Sequence, residues 1–394
     1  MKKQNKTRPD RQGERLLALA ALAIIVLAWI GGTFRTEADL LPFLKRVLPK
    51  ADHIESLPGG TYAAWDDLNK THFLGYISVG SAPGYGGELK MVVAVSPKGE
   101  VIGLEILGHK ETVAFFRRVK RSGFLDALKG KTYSDPFKIG RDLDGVTGAT
   151  YSARAVAEAV GKASRNISSR NLGLPVPQDP SPKIIFGLPE FVLIFLFMMG
   201  LIGRRRSFKY PKIARWFSLL TGLVVLGFLF DKPLTIVLIN KMLLGFWPEW
   251  QLHLYWYILL AGILFITIMD LRNPYCDWFC PFGSAQECLA ALGGAKRGFP
   301  KNIQPFLRWF QRALALGAIV VALFYRNPGL SSYEVFGAFF QLIGTNFQFI
   351  LLGIVLVAAL FIRKPWCGAL CPLRPVIDFV RLIRNWIGEK LFGS

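Results

Sequence analysis

The sequence predicts an all-α membrane bundle of about six transmembrane helices joined to an extracytoplasmic α+β domain. Three observations carry this reading. Hydrophobic residues fill 52% of the 394 positions and charged residues only 19%, below the roughly 25% of a soluble domain. Apolar runs recur at lengths near the ~20 residues that a bilayer requires. Between them, residues 33–183 alternate polar and apolar positions as strands do. This composition argues against a cytosolic globular enzyme and against disorder.

The first apolar run, Leu16–Gly32, follows a basic leader and is not followed by an A-x-A cleavage site, since Thr33, Phe34 and Arg35 come next. An uncleaved signal anchor with a cytoplasmic N terminus is expected. Five more runs follow: Ile184–Gly203, Trp216–Phe230, Leu254–Asp270, Ala313–Tyr325 and Phe349–Ile362. Alternation places 204–215, 271–312 and 363–394 inside, and each of these stretches holds six basic residues, as does the leader. The outer turns 231–253 and 326–348 hold only Lys232, Lys241 and Arg326. The net charge of +21 is therefore explained by the positive-inside rule, and no nucleic-acid partner is needed. Arg204, Arg205 and Arg206 fit a helix end held against anionic lipid headgroups. Two apolar stretches, Leu234–Trp247 and Val335–Phe347, lie between the spans and read as interfacial helices or as extensions of the hairpins.

The expected domains are a leader and anchor (1–32), an extracytoplasmic domain (33–168), a linker (169–183, within a proline-rich stretch) and a polytopic membrane domain (184–394). In the outer domain, Leu89–Leu107 reads as a hairpin in a half-buried sheet, turning at Pro97-Lys98-Gly99. Helices are expected over Glu111–Leu128 and Ser152–Ala163. This domain has no cysteine, which suits an oxidising compartment.

Two glycine-rich patches stand out. Gly84-Tyr85-Gly86-Gly87 lacks the GxGxxG of a dinucleotide fingerprint and on its own reads as a tight turn. Asp144-Gly145-Val146-Thr147-Gly148-Ala149-Thr150 leads into a helix. It fits an ordinary N-terminal cap or a phosphate site at the helix start.

DGVTGAT resembles the attachment motif of extracytoplasmic flavoproteins of the RnfG and NqrC type. Gly84–Gly87 and His109-Lys110-Glu111-Thr112 are similar to segments lining the flavin in that family, and the resemblance covers roughly residues 80–165. It implies FMN held through a phosphoester on Thr150, installed by a flavin transferase. It also implies that Asp144, Gly145, Thr147, Gly148, Ala149, Gly84, Tyr85, Gly86, Gly87, His109, Lys110, Glu111 and Thr112 form the site. Lys110 or His109 would contact the reduced ring and Tyr85 would pack near it.

All five cysteines lie in the membrane half, and four form a repeat. Arg272-Asn273-Pro274-Tyr275-Cys276-Asp277-Trp278-Phe279-Cys280-Pro281 and Arg363-Lys364-Pro365-Trp366-Cys367-Gly368-Ala369-Leu370-Cys371-Pro372 share R-x-P-aromatic-C-x3-C-P. A disulfide is disfavoured on the cytoplasmic side. Four thiolates could hold zinc, but C-x3-C-P matches the tail of a ferredoxin run, which favours an iron–sulfur cluster, expected to be 4Fe-4S, on Cys276, Cys280, Cys367 and Cys371. Each proline is expected to end helical hydrogen bonding and free amides for the sulfurs. Arg272 and Arg363 would offset cluster charge, and Cys288 reads as packing.

This half is similar to the NosR and NapH group of membrane iron–sulfur proteins. Those relatives usually continue into a ferredoxin domain, which is not found before Ser394, so a separate ferredoxin-like partner or another route is expected. Flavin and cluster together imply transmembrane electron transfer, from a cytoplasmic ferredoxin-like donor or membrane quinol to an extracytoplasmic acceptor, in a bacterial inner membrane. A redox sensor or assembly factor is the alternative, as is a subunit of an ion-pumping complex, for which Glu190 and Asp270 give thin support. There is no GxSxG, HExxH or P-loop to suggest hydrolysis. Because the hydrocarbon core is about 30 Å thick, the cluster must sit deep or the flavin domain must tuck into the bundle. A haem bridge is disfavoured, since His253 is the one histidine near a span.

Overall fold

A 23-residue apolar helix, α1 (Arg11–Thr33), opens the described part of the chain. The computed structural model describes residues 11–34, 40–177, 183–203, 208–269 and 273–392. Arg204, Arg205, Arg206, Asp270 and Arg272, given roles above, lie outside these residues, as does part of the linker. α2 (Leu41–Val47) follows. Next come β1 (His53–Leu57), β2 (Thr61–Trp65), β3 (Phe73–Pro83), β4 (Glu88–Val95) and β5 (Val101–His109). The five strands pair in sequence order as an antiparallel meander.

β4 places Leu89, Met91, Val93 and Val95 on one face and Val92 and Ala94 on the other, all fully buried. The first face packs on α4 (Thr150–Arg170), and the second meets Leu44 and Val47 of α2. β4 is therefore covered on both sides, more than the expected half-buried sheet, while β5 keeps a half-buried pattern. The covering element is the short α2, whose seven residues are too few to show a helical period. Truncating the buried Leu44 to alanine would cost about 2–5 kcal/mol. The helix expected over 111–128 is also shorter. α3 (Val113–Arg121) ends before Gly123, whose φ of +73° breaks the helical path, and a 3-10 turn resumes at Asp126–Leu128.

In the membrane half, α5 (Leu188–Ile202) precedes α6 (Pro211–Thr221), which continues as a π-helix through Leu229. α7 (Ile236–Leu243), α8 (Leu254–Ile268), α9 (Pro281–Leu292) and α10 (Gln304–Phe324) follow. α11 (Phe336–Phe340), α12 (Asn346–Phe361), α13 (Pro365–Ala369) and α14 (Leu373–Phe392) complete the order. The protein is a multi-pass α-helical membrane protein. Among the described residues, three helices rather than six are long and apolar enough to cross a bilayer: Gln12–Thr33, Pro211–Leu229 and Gln304–Phe324. α5, α8 and α12 coincide with the other expected spans but have 15, 15 and 16 residues. At 1.5 Å per residue they reach about 22–24 Å, short of the hydrocarbon thickness.

The two apolar stretches that fit no span contain α7 and α11. Their residues Ile236, Val237, Phe336 and Ala338 are buried in protein, so neither is a helix lying free on a lipid surface. They form the seat of the α+β domain. Lys241 of α7 donates to the carbonyl of Gly84, and the Lys110 ammonium stands 4.0 Å over the Phe246 ring. The α+β domain thus rests directly on the loops between α6 and α8 and between α10 and α12.

Candidate functional site

Thr150 begins α4 and faces a cavity of about 400 Å³ between the two halves of the chain, within the size range of small-molecule sites. The α+β domain contributes Gly84, Tyr85, Thr112, Phe115, Gly148, Ala149, Thr150, Tyr151 and Arg154. The membrane half contributes the rest, including Asp231, Lys232, Thr235, Lys241, His253, Trp256, Glu334, Phe336, Gln341 and Ile343. None of this second set was assigned from the sequence.

The residues fit FMN. The Thr150 hydroxyl lies at a 21-residue helix's N terminus, where free amides and the positive dipole end favour a phosphate. Arg154, one turn along, adds a cation. Gly148 has φ of +72°, a left-handed conformation that favours glycine, and a Cβ there would displace the end of the Ile343 side chain. Aromatic walls from Tyr85, Phe115, Trp256 and Phe336 suit a flat ring.

Other expected contacts lie behind the wall. Glu111, 2% exposed, accepts from the Gly86 amide at 3.0 Å and from the Ser152 hydroxyl, so it braces the glycine turn against α4. The Gly84 amide closes that turn on the Gly87 carbonyl at 2.7 Å. Lys110 is turned to Phe246. His109 stacks on Phe116 with centroids 3.7 Å apart, and burial, helped by the Lys120 charge, lowers its pKa to about 4. Asp144, Gly145, Thr147, Gly86 and Gly87 do not line the cavity either.

The four repeat cysteines converge from two loops and are free thiols, partly buried. Cys371 lies within electrostatic reach of Cys367, Cys276 and Cys280, and Cys276 of Cys280 and Cys367. Burial raises each pKa first, and neighbouring thiols raise those of Cys276, Cys280 and Cys371 further. Thiolates at this spot therefore need a positive centre to hold them. Among the described residues, no three His, Cys, Asp or Glu stand close enough to share one metal ion. The thiols therefore converge without the close grouping of a formed metal site.

The prolines do more than expected. A helical turn over Tyr275–Phe279 and α13 each end just before the Cys-Pro pair, as expected, and Pro281 then opens α9 while Pro372 immediately precedes α14. Pro is well suited to a first helical turn, and the amides that follow point back at the sulfurs: Gly283 donates to Cys280 and Leu373 to Cys371. Gln286 Nε2 lies 3.6 Å from Cys367 Sγ, and Lys364 Nζ donates to the Cys276 carbonyl at 3.3 Å. Arg363 reaches Glu287 at 3.3 Å, which Lys364 and Arg215 also pair. Cys288, on α9, feels Glu287 rather than the motif thiols.

Both cysteine loops touch the cavity floor. Tyr275, beside Cys276, accepts the Leu234 amide at 2.9 Å, and Pro233 and Thr235 line the cavity. Tyr333 donates to the carbonyl of Leu370, beside Cys371, at 3.0 Å, and its neighbours Ser332 and Glu334 line the cavity.

Fold and site define a transmembrane flavoprotein of electron-transport character with FMN-binding and iron–sulfur parts. Residues 84–165 match the FMN-binding domain family, and residues 252–300 and 347–390 match the 4Fe-4S binding domain family. The chain is 29% identical over 202 residues to Protein NirI of Paracoccus denitrificans, covering 46% of this chain and 29% of NirI. It is 33% identical over 109 residues to a subunit of the ion-translocating oxidoreductase complex of Pseudomonas aeruginosa, covering 25% of this chain and 51% of that protein. It is 30% identical over 140 residues to the putative electron transport protein YccM of Escherichia coli, covering 32% and 39%. The chain thus spans about half or less of the length of these three relatives. The likeness reaches the RnfG and NqrC level for the flavin part, and these relatives do not tie the chain specifically to NosR or NapH.

Proposed function

We propose that this chain carries electrons across a bacterial inner membrane between a four-cysteine iron–sulfur centre and an FMN esterified to Thr150. The observation that carries this reading is the pair of tyrosine hydrogen bonds joining each cysteine loop to the flavin cavity floor. Electron tunnelling falls steeply with distance, and these hydrogen bonds tie each cysteine loop to segments that line the cavity. When bound, FMN supplies two-electron storage and the cluster one-electron transfer.

In this reading Cys276, Cys280, Cys367 and Cys371 hold the cluster, while the α9 and α14 amides and Lys364 stabilise its negative charge. Thr150 fixes the flavin, the α4 amides and Arg154 hold its phosphate, and Tyr85 and Phe115 flank the ring. The N terminus lies in the cytoplasm and residues 33–168 lie outside. Residues 169–183 link that domain to the membrane part, 184–394. The arrangement is that of a NosR-type protein. A ferredoxin-like protein or quinol donates, an extracytoplasmic carrier accepts, and a flavin transferase matures the chain. Relatives named as subunits of ion-translocating complexes favour work alongside partner subunits.

The test is iron, sulfide and flavin analysis of the purified chain, followed by rapid reduction. One cluster and one covalent flavin, with cluster reduction preceding flavin reduction in a single exponential sequence, is expected. Flavin reduction at the same rate in a chain stripped of iron would refute the relay.

A further inference from the structure

Glu158, Asp231, Glu249 and Glu334 line the cavity, and Glu111 stands behind its wall; Glu158 pairs with Lys162. Glu111 braces the glycine turn, as described above. Glu334 and Asp231 line the cavity itself. Glu334, 4% exposed, accepts hydrogen bonds from the Ile236 amide at 3.1 and 3.0 Å and has no ion pair among the described residues. Asp231 accepts from the Gln341 side chain. A charged carboxylate buried without a cation is costly, so such groups are kept when they exchange protons.

Resting on the assignment of FMN to this cavity, we propose that Glu334 is the proton-exchanging group for the flavin, with Asp231 relaying between it and water at the rim. Storing two electrons on a flavin ring also requires at least one proton. The electrons come singly from the cysteine-held centre. The Glu334 carboxylic acid gives its proton to the ring and is left as a carboxylate. It regains a proton through Asp231 from outside water at the rim, where Tyr151 is 48% exposed. On oxidation the path runs in reverse: Glu334 releases its proton through Asp231 to the rim water and then accepts the ring's proton.

The surroundings favour this role. Tyr85, from the α+β domain, lies within electrostatic reach of Glu334, Asp231 and Glu111 alike, and Tyr333 stands beside Glu334 in sequence and feels its charge. The Lys241 ammonium is committed to the Gly84 carbonyl and to Glu111. Burial pushes Glu334 up to about 8 and Asp231 up to about 7, so both can hold a proton near neutrality.

The test is an anaerobic redox titration of the flavin, followed by its visible spectrum in the full purified chain, on both sides of pH 8. In wild type, the plot of flavin potential against pH is expected to bend near pH 8. Glu334→Gln should lose the bend, and Glu334→Asp should keep it at a shifted pH. A bend retained in Glu334→Gln overturns the proposal. Should that variant fail to load flavin, infrared difference spectra of the wild type with carbon-labelled glutamate decide. A protonated glutamate C=O band perturbed by flavin reduction supports the proposal, and its absence overturns it. Flavin that remains covalently attached in Thr150→Val would instead sink the underlying site assignment, which in-gel flavin fluorescence reads separately.

Discussion

The phenolic oxygen of Tyr275 accepts the backbone amide hydrogen of Leu234 at 2.9 Å. One hydrogen bond thereby joins the first cysteine loop to the cavity floor, and the Tyr275 ring is fully buried in contact with Phe279. Tyr275→Phe keeps the ring and removes the acceptor. The stranded amide should cost about 1–3 kcal/mol. Flavin reduction should slow several-fold while iron and flavin contents stay at wild-type levels. Stopped-flow spectra of the reduced variant check this, and an unchanged rate would remove Tyr275 from the route.

Thr150→Val replaces the only atom through which the proposed phosphoester can form and keeps the β-branched shape. Covalent flavin, read as fluorescence of the denatured band on a gel, should vanish. The membrane fraction should hold as much protein as before, because α4 packs through Ala153, Val156, Ala157 and Val160 rather than through Thr150.

Much of this was legible because it is local. The β4–β5 hairpin, the apolar segments and the cysteine repeat each show within a window shorter than about 20 residues. α2 escaped because seven residues carry too little periodicity. The membrane-side wall of the cavity escaped because Asp231, Lys241 and Glu334 come together only in three dimensions. A signal was present nonetheless: Lys232, Lys241 and Glu334 are ionisable residues in or beside the two apolar stretches that fitted no span, and such residues tend to be functional. The helix that follows each proline was not read, because C-x3-C-P does not say that a new helix starts there.

Cys276→Ser and Cys371→Ser come from different loops and should each empty the same centre. Iron and acid-labile sulfide should fall to background in both variants, since the four thiols lie within mutual electrostatic reach. Half the iron retained in each would mean two separate centres.

Gly148→Ala tests the seat of the α+β domain. A left-handed backbone costs an L-residue about 1–2 kcal/mol, and the new Cβ would meet Ile343 and Arg118. Flavin loading should drop and protease cleavage in the 169–183 linker should speed up. Adding Ile343→Ala should recover part of the loss, because it relieves the contact with Ile343 but not the backbone strain.

Glu334→Gln should change how stability depends on pH, and the sign follows from the direction of its shift. Its folded pKa is raised by burial to about 8, against about 4.3 unfolded, so between these values the folded chain binds the extra proton. Its contribution is complete below about pH 4.3 and is lost as pH rises through 8. Asp231, raised by burial to about 7, acts in the same sense. Lys241, lowered by burial to about 8, adds stability only as pH climbs above that value, so it does not mask the acidic window. Wild type should therefore lose melting temperature from pH 5 to pH 8 more steeply than Glu334→Gln, with the variant the more stable above pH 8 and the two curves approaching each other towards pH 5. Scanning fluorimetry of detergent-solubilised protein across that range reads both curves, and parallel curves would mean that Glu334 does not hold a proton in the folded chain.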